Sequence, residues 1–253
     1  MIILNEKEYV NHILQHKNID VSKTYTFLSL YARYLYHEKG LKKSEIIEEL
    51  NHFMNLYYPR FNPVNWSGSI EKYAGKAGKY PLCECKGIWV TENELRTIEE
   101  VQDKVLGRLA FTLLCLAKFR NYRNPNNNNW VNYSNGEIFD MACINTTAFN
   151  KDMKFNRLLE SGLIEYAKKV NNLNIRVMFV DDNSRQTLLI TDFRKLGYEW
   201  KLYKGEKYIR CTGCGILVKR KTNNQKYCKE CAYEKQLERN RDYKSQLLIQ
   251  DIF

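Results

Sequence analysis

Leu158-Leu159-Glu160-Ser161-Gly162-Leu163-Ile164 changes from helix to strand at one glycine. Upstream, from Thr146, apolar residues recur three and four apart. Downstream, Leu163 to Tyr166 reads as a strand. Gly162 stands where a helix ends on a left-handed residue, a backbone state that costs glycine nothing because it has no Cβ. The stretch therefore predicts a helix from Thr146 to Ser161, a stop, and a strand. Before it, Ser134 and Glu137 form a capping box for a helix to about Ala142, followed by the turn Cys143-Ile144-Asn145. Earlier still come a short strand at Trp130 to Tyr133 and the polar loop Asn121 to Asn129. Before that loop runs a long helical stretch opened by a capping box of Thr91 and Glu94, whose part from Val105 to Phe119 is apolar nearly all round and so predicts a buried central helix. After the glycine, Ile175 to Val180 supplies the second strand of a hairpin around Val170-Asn171-Asn172.

Helix, short strand, helix, turn, helix, Gly-Leu-Ile and hairpin, in that order, resemble the winged helix-turn-helix superfamily over residues 103–183. The resemblance implies a recognition helix and a wing that grips flanking backbone. On the helix from Thr146, Ala148, Phe155, Leu158 and Leu159 fall on one face, and Thr147, Asn150, Lys151, Lys154 and Arg157 form a second, polar and basic stripe. In a major groove Asn and Arg read base edges while Lys and Thr hold phosphates. The wing adds Lys168, Lys169 and Arg176. The competing reading is a solvated helix face in a domain used for protein contacts.

Near the C-terminus, Cys211, Cys214, Cys228 and Cys231 fall as CxxC, thirteen residues, CxxC, with Gly213 and Gly215 at the first turn. Two such turns supply four soft thiolates in a closed tetrahedron, the pattern of a zinc ribbon holding one structural Zn2+. A disulfide framework needs an oxidising compartment, whereas the opening Met1 to Glu6 is too short an apolar run for a signal peptide. A redox pair needs one CxxC, not two. Lys219, Arg220 and Lys221 are expected at a positive tip between the knuckles, placed for phosphates.

The net charge is +11, and nine Lys and four Arg against six acids place +7 of it in residues 201–253. Such a concentrated basic end fits a polyanion binder, with plain solubility as the alternative. No run reaches the roughly 18 apolar residues of a membrane span, so the expected location is cytoplasmic, with no membrane partner. The first eighty residues read as helices Glu6 to His16, Ser22 to Glu38 and Ser44 to Tyr57, broken at Gly40, Pro59 and Pro63, with Phe27, Leu30, Tyr31, Tyr34 and Leu35 as a core stripe. Gly68 to Tyr80 reads as a solvated linker, since its Gly-Lys pair lacks the glycine five residues earlier that a phosphate loop requires. Cys83 and Cys85 are a lone CxC. His12 and His16 lie one helical turn apart without a third ligand, which favours surface or core. Asp181, Asp182 and Asp192 read as turn formers rather than magnesium ligands. The aromatics Tyr198, Trp200 and Tyr203 read as core before stacking platforms. Nothing demands catalysis.

The expected fold is mainly α with small β elements. It comprises a helical N-terminal region (1–80), a linker and capped helix start (81–102), a winged helix (103–183), a strand and aromatic connector (184–206), a zinc ribbon (207–233), and a C-terminal helix and tail (234–253). The expected function is sequence-specific binding of double-stranded DNA. The richness in Asn, Lys, Ile and Tyr and the layout look similar to transcriptional regulators of phages and mobile elements of AT-rich bacteria. Two alternatives stand beside it: a replication or recombination accessory factor, and a phage inhibitor of a host nucleoprotein defence complex. The first would recruit a host protein through the N-terminal helices or the tail Gln246 to Phe253, which faintly resembles Gln-Leu-rich peptides that dock on sliding clamps, and the second would use its basic surface to mimic or displace nucleic-acid contacts.

Overall fold

The computed structural model describes residues 2–17, 19–168 and 174–250. Lys169, the turn Val170-Asn171-Asn172 and the chain end from Asp251 lie outside them. The chain is mainly helical with small antiparallel sheets, and its contacts divide it into Met1–Lys86 and Gly87–Phe253.

The first unit holds α1 (Glu6–His16), α2 (Thr24–Lys39), α3 (Lys43–Tyr57) and α4 (Pro63–Lys76). Asn5 caps α1 by accepting the Glu8 N–H at 3.0 Å, and Gly40 ends α2 at φ 68°. Phe27, Leu30, Tyr31 and Leu35 join Ile46, Leu50, Phe53, Met54 and Ile70 in one core, with Tyr34 half-buried against it. The expected linker from Gly68 is instead helix to Lys76, followed by a 3-10 turn. Ile70, Ala74 and Ala77 drop into the core, which outweighs the ~1 kcal/mol cost of each glycine inside a helix. Pro63 starts this helix rather than breaking the chain, because the first-turn N–H that it lacks has no helical partner anyway. Cys83 and Cys85 pair with the chain start through backbone: Glu6 N–H donates to the Cys83 carbonyl (2.7 Å) and Cys85 N–H to that of Leu4 (3.2 Å).

In the second unit the long helical stretch from Thr91 is two helices, α5 (Glu92–Glu100) and α6 (Lys104–Arg123). Asp103 divides them, its side chain accepting from the N–H groups of Val105 (2.8 Å) and Leu106 (3.0 Å) and so opening a new helix. Around α6 lie β1 (Ile88–Thr91), β2 (Trp130–Val131), α7 (Asn135–Met141), α8 (Ala148–Glu160), β3 (Ile164–Tyr166), β4 (Ile175–Val177), β5 (Gln186–Ile190) and α9 (Leu196–Tyr203). The segment before α5 is thus not a linker throughout: β1 pairs antiparallel with β5 across about a hundred residues, Ile88 opposite Ile190. The second sheet has the order β2-β4-β3, all antiparallel. Both expected capping boxes form, at Thr91–Glu94 and at Ser134–Glu137.

From Leu106 to Phe119 α6 is buried on nearly every side. Lys118 Nζ lies 2.7 Å from Glu94 and 2.8 Å from Asp182, while Arg108 donates to the Cys143 carbonyl at 2.9 Å. That carbonyl belongs to the turn between α7 and α8, where Cys143 adopts φ 55°. Trp200 of α9 packs on Phe111, ring centroids 5.4 Å apart, and a Cβ on Gly107 would lie 3.3 Å from its indole nitrogen. The tightest approach is at the start of α9: a Cβ on Gly197 would lie 1.9 Å from the carbonyl oxygen of Ala142. β6 (Tyr208–Arg210), β7 (Leu217–Lys219) and α10 (Lys229–Gln250) complete the chain. Among the described residues no helix is long and apolar enough to cross a membrane.

Gly197→Ala has no flexible side chain to displace, only backbone, so it is expected to destabilise the second unit by ~3 kcal/mol or more in urea unfolding. Gly162→Ala, left-handed but in open space, is expected to cost only about 1 kcal/mol. Equal costs would contradict the close packing of α9 on the α7–α8 turn.

Candidate metal centre and nucleic-acid interface

The ligating atoms of Cys211, Cys214, Cys228 and Cys231 all lie within 4.8 Å of one another, with Cys214 and Cys228 sulfurs 3.8 Å apart. Zn–S bonds of ~2.3 Å in a tetrahedron place sulfurs about 3.8 Å apart, and a disulfide requires about 2.05 Å, so the spacing suits a shared cation and not a bridge. Four cysteines therefore stand close enough to hold one metal ion.

Two different devices bring them together. The first pair flanks the turn joining β6 to β7, where Gly215 takes φ 74° and its N–H donates to the Cys211 carbonyl at 2.8 Å. Gly213 is needed for room, since a Cβ there would lie 3.0 Å from the Cys231 sulfur. The second pair straddles the start of α10, with Cys231 N–H directed at the Cys228 sulfur (3.4 Å). The pairs are thus a hairpin turn and a helix start, not two facing knuckles. Burial opposes ionisation of Cys211, but the N–H groups of Cys228, Cys214 and Gly213 outweigh it and bring the thiol down to about 6. Burial and proton sharing with the other three sulfurs raise Cys231. A cation held by all four sulfurs would displace the protons they carry.

The module is fastened to the rest of its unit by two arginines. Arg194 forks onto Asp192 (2.9 and 2.7 Å) and donates to the Cys214 carbonyl at 2.8 Å. Arg210 of β6 reaches the buried Glu199 of α9 at 2.8 Å. Burial raises the Glu199 carboxyl, and the facing Arg210 charge opposes that rise. Asp192 is thus held by Arg194, Asp182 by Lys118, and Asp181 by Asn93 and the Asn183 N–H. Each of the three aspartates has a protein partner.

Lys219, Arg220 and Lys221 are exposed and lie between the two cysteine pairs in sequence. Lys219 pairs with Tyr208 at the end of the hairpin away from the cysteine turn, because the knuckle itself is that turn. Arg220 donates to the carbonyls of Thr222 (3.2 Å) and Asn223 (2.6 Å), closing the loop toward α10.

On α8 the expected faces are rotated. Phe155 and Leu158 are buried as expected, while Ala148 is exposed and Leu159 39% exposed. The outermost residues are Phe149, 73% exposed, and Met153, 46% exposed, with Asp152, Asn156 and Glu160 beside them. The polar stripe lies on the flank. Thr147 caps the helix through the Asn150 N–H (3.4 Å), Lys151 and Lys154 are half-buried, and the Lys151 ammonium stands 5.4 Å above the Phe139 ring. Asn150 is exposed, and Arg157 pairs with Asp103 at 3.0 Å. Neither expected face included Phe149 or Met153. Their exposure follows from the burial of Phe155 and Leu158 on the opposite side, Phe155 meeting Phe139 of α7 edge-on at 5.3 Å. In the hairpin Lys168 is exposed, whereas Arg176 is held by Glu165 and by the Asn128 side chain and carbonyl. Lys169 is among the residues not described.

No family model, curated protein or solved structure matches the chain.

Burial opposes it, but the N–H groups of Leu106 and Val105 and the Arg157 guanidinium lower Asp103 below its ordinary value. A depressed carboxylate contributes stability that is fully present above its unfolded pKa and lost as pH falls through the folded one. Asp103→Asn keeps a capping oxygen and is expected to lose stability less steeply than the parent below about pH 4. Parallel acid-unfolding curves would contradict the coupling. For the cysteine centre, Cys211→Ser is expected to abolish stoichiometric metal uptake and the slow amide exchange of β6 and β7, with the first unit unaffected. Undiminished uptake would contradict a four-sulfur site.

Proposed function

We propose that residues 87–250 bind double-stranded DNA through a winged helix-turn-helix steadied by a zinc-stapled module, in the manner of a phage or mobile-element transcriptional regulator. The observation that carries this reading is the connectivity α6, β2, α7, α8, β3, β4 with strand order β2-β4-β3. The hairpin follows α8 directly and is backed by β2, the arrangement that a projecting wing beside a groove-entering helix requires. Zinc is favoured for the cysteine centre because four thiolates offer soft ligands and no open position.

The bases read follow from the α8 face. Phe149, Met153 and Ala148 are the outward residues near its start, and apolar groups in a major groove meet thymine methyls. Asn150 can pair with an adenine edge. Lys151 and Lys154, emerging from the flanks on long stems, reach phosphates rather than bases. Arg157, engaged with Asp103, is not poised to read guanine. The reading is therefore of A·T-rich duplex. A second reading, docking of a host protein on α8, is favoured by the same exposure of Phe149 and Met153.

Selected-site sequencing with zinc-loaded protein separates the two. Enrichment of A·T-rich duplexes is expected, with Phe149→Ala costing about 1–3 kcal/mol on the selected site and Lys168→Ala reducing the salt slope by about one. Absence of any enriched duplex would overturn the DNA reading. Loss of a co-purifying host protein on Phe149→Ala would then support the other.

A further inference from the structure

We infer that the first unit carries a second metal site, in which His12 and His16 chelate one divalent transition-metal ion such as Cu2+ or Ni2+. The pair occupies consecutive turns of α1, a helix secured at its start by the Asn5 cap and at its end by Lys17 in the left-handed region. Both imidazoles are exposed, and their ring centroids lie 4.4 Å apart with planes tilted by 48°. Val10 and Ile13, on the opposite side of α1, are buried in the core, so the histidine ridge is fixed outward by packing.

The geometry suits chelation rather than an aromatic contact made for its own sake. Residues four apart on a helix bring their Cβ atoms within about 6 Å, and two nitrogens each ~2.0–2.1 Å from one ion must sit about 3 Å apart when they bind at a right angle. Rings already in contact reach that spacing by side-chain rotation alone, without moving backbone. Glu8, also exposed, stands one turn earlier on the same ridge and can add a carboxylate, and water fills the remaining positions. Two imidazoles with oxygen ligands make a tetragonal site, which favours Cu2+ and Ni2+, and the order of divalent affinities places Cu2+ first. This chemistry differs from that of the four thiolates, so the two sites sort metals by softness.

The test uses the full chain with its cysteine centre already loaded with zinc. Titration with Ni2+ is followed by calorimetry and by paramagnetic broadening of the imidazole C–H resonances of the four histidines. One equivalent is expected to bind, broadening His12 and His16 while His37 and His52 stay sharp. His12→Ala and His16→Ala should each weaken binding by more than the ~10–100-fold that loss of an outer-shell partner costs a metal site. Because the two rings are solvent-facing, these variants keep the fold, which the unshifted remaining spectrum verifies. Broadening at His37 or His52 alone, or unchanged Ni2+ affinity in both variants, would overturn the site.

Discussion

The absence of a Cβ at Gly197 is the constraint on which the second unit turns. It lets the start of α9 press against the Ala142 carbonyl, at the beginning of the turn between α7 and α8. Through that approach α9 becomes part of the same packed body as α8. The aromatic side of α9 completes the cover of α6, with Trp200 against Phe111, and its Glu199 receives Arg210 from the hairpin of the cysteine module. Arg194, just before α9, holds the Cys214 carbonyl. The four-cysteine module and the α7–α8 pair, far apart in sequence, are thereby joined through the eight residues of α9.

Charge inside this body is spent on joints. Lys118, within the most buried helix, is neutralised by Glu94, which also closes the Thr91 capping box and accepts the Asp181 N–H. One carboxylate thus holds the start of α5, the side of α6 and the loop before β5. Burying such a pair contributes little net stability, but removing one partner leaves an uncompensated charge. Asp103 forms a second, more exposed joint: it starts α6 and engages Arg157.

Legibility in the sequence followed the range of the forces involved. Features set within one short stretch of chain were readable: the capping boxes at Thr91 and Ser134, the stop at Gly162, the four-cysteine cluster, and the all-round burial of α6. Features set by distant partners were not. Nothing local marks Ile88–Thr91 as the partner of Gln186–Ile190, and the glycines at 68 and 75 concealed a helix that Ile70 and Ala74 secure by tertiary burial. The α8 face was misjudged for the same reason. Helical spacing put Leu159 inside and the lysines outside, whereas burial of Phe155 and Leu158 leaves Phe149 and Met153 outward. From α6 to β4 the order of elements was legible, and the rotation of α8 about its own axis was not.

That α8 and the cysteine module act on one duplex as a single rigid body is tested most directly by hydrogen exchange on the zinc-loaded chain with and without a selected duplex. The account predicts that amides at the start of α8 and those of β6 and β7 become protected together, over the same range of DNA concentration. Protection confined to one of these elements, or absent from both at saturating duplex, would contradict it.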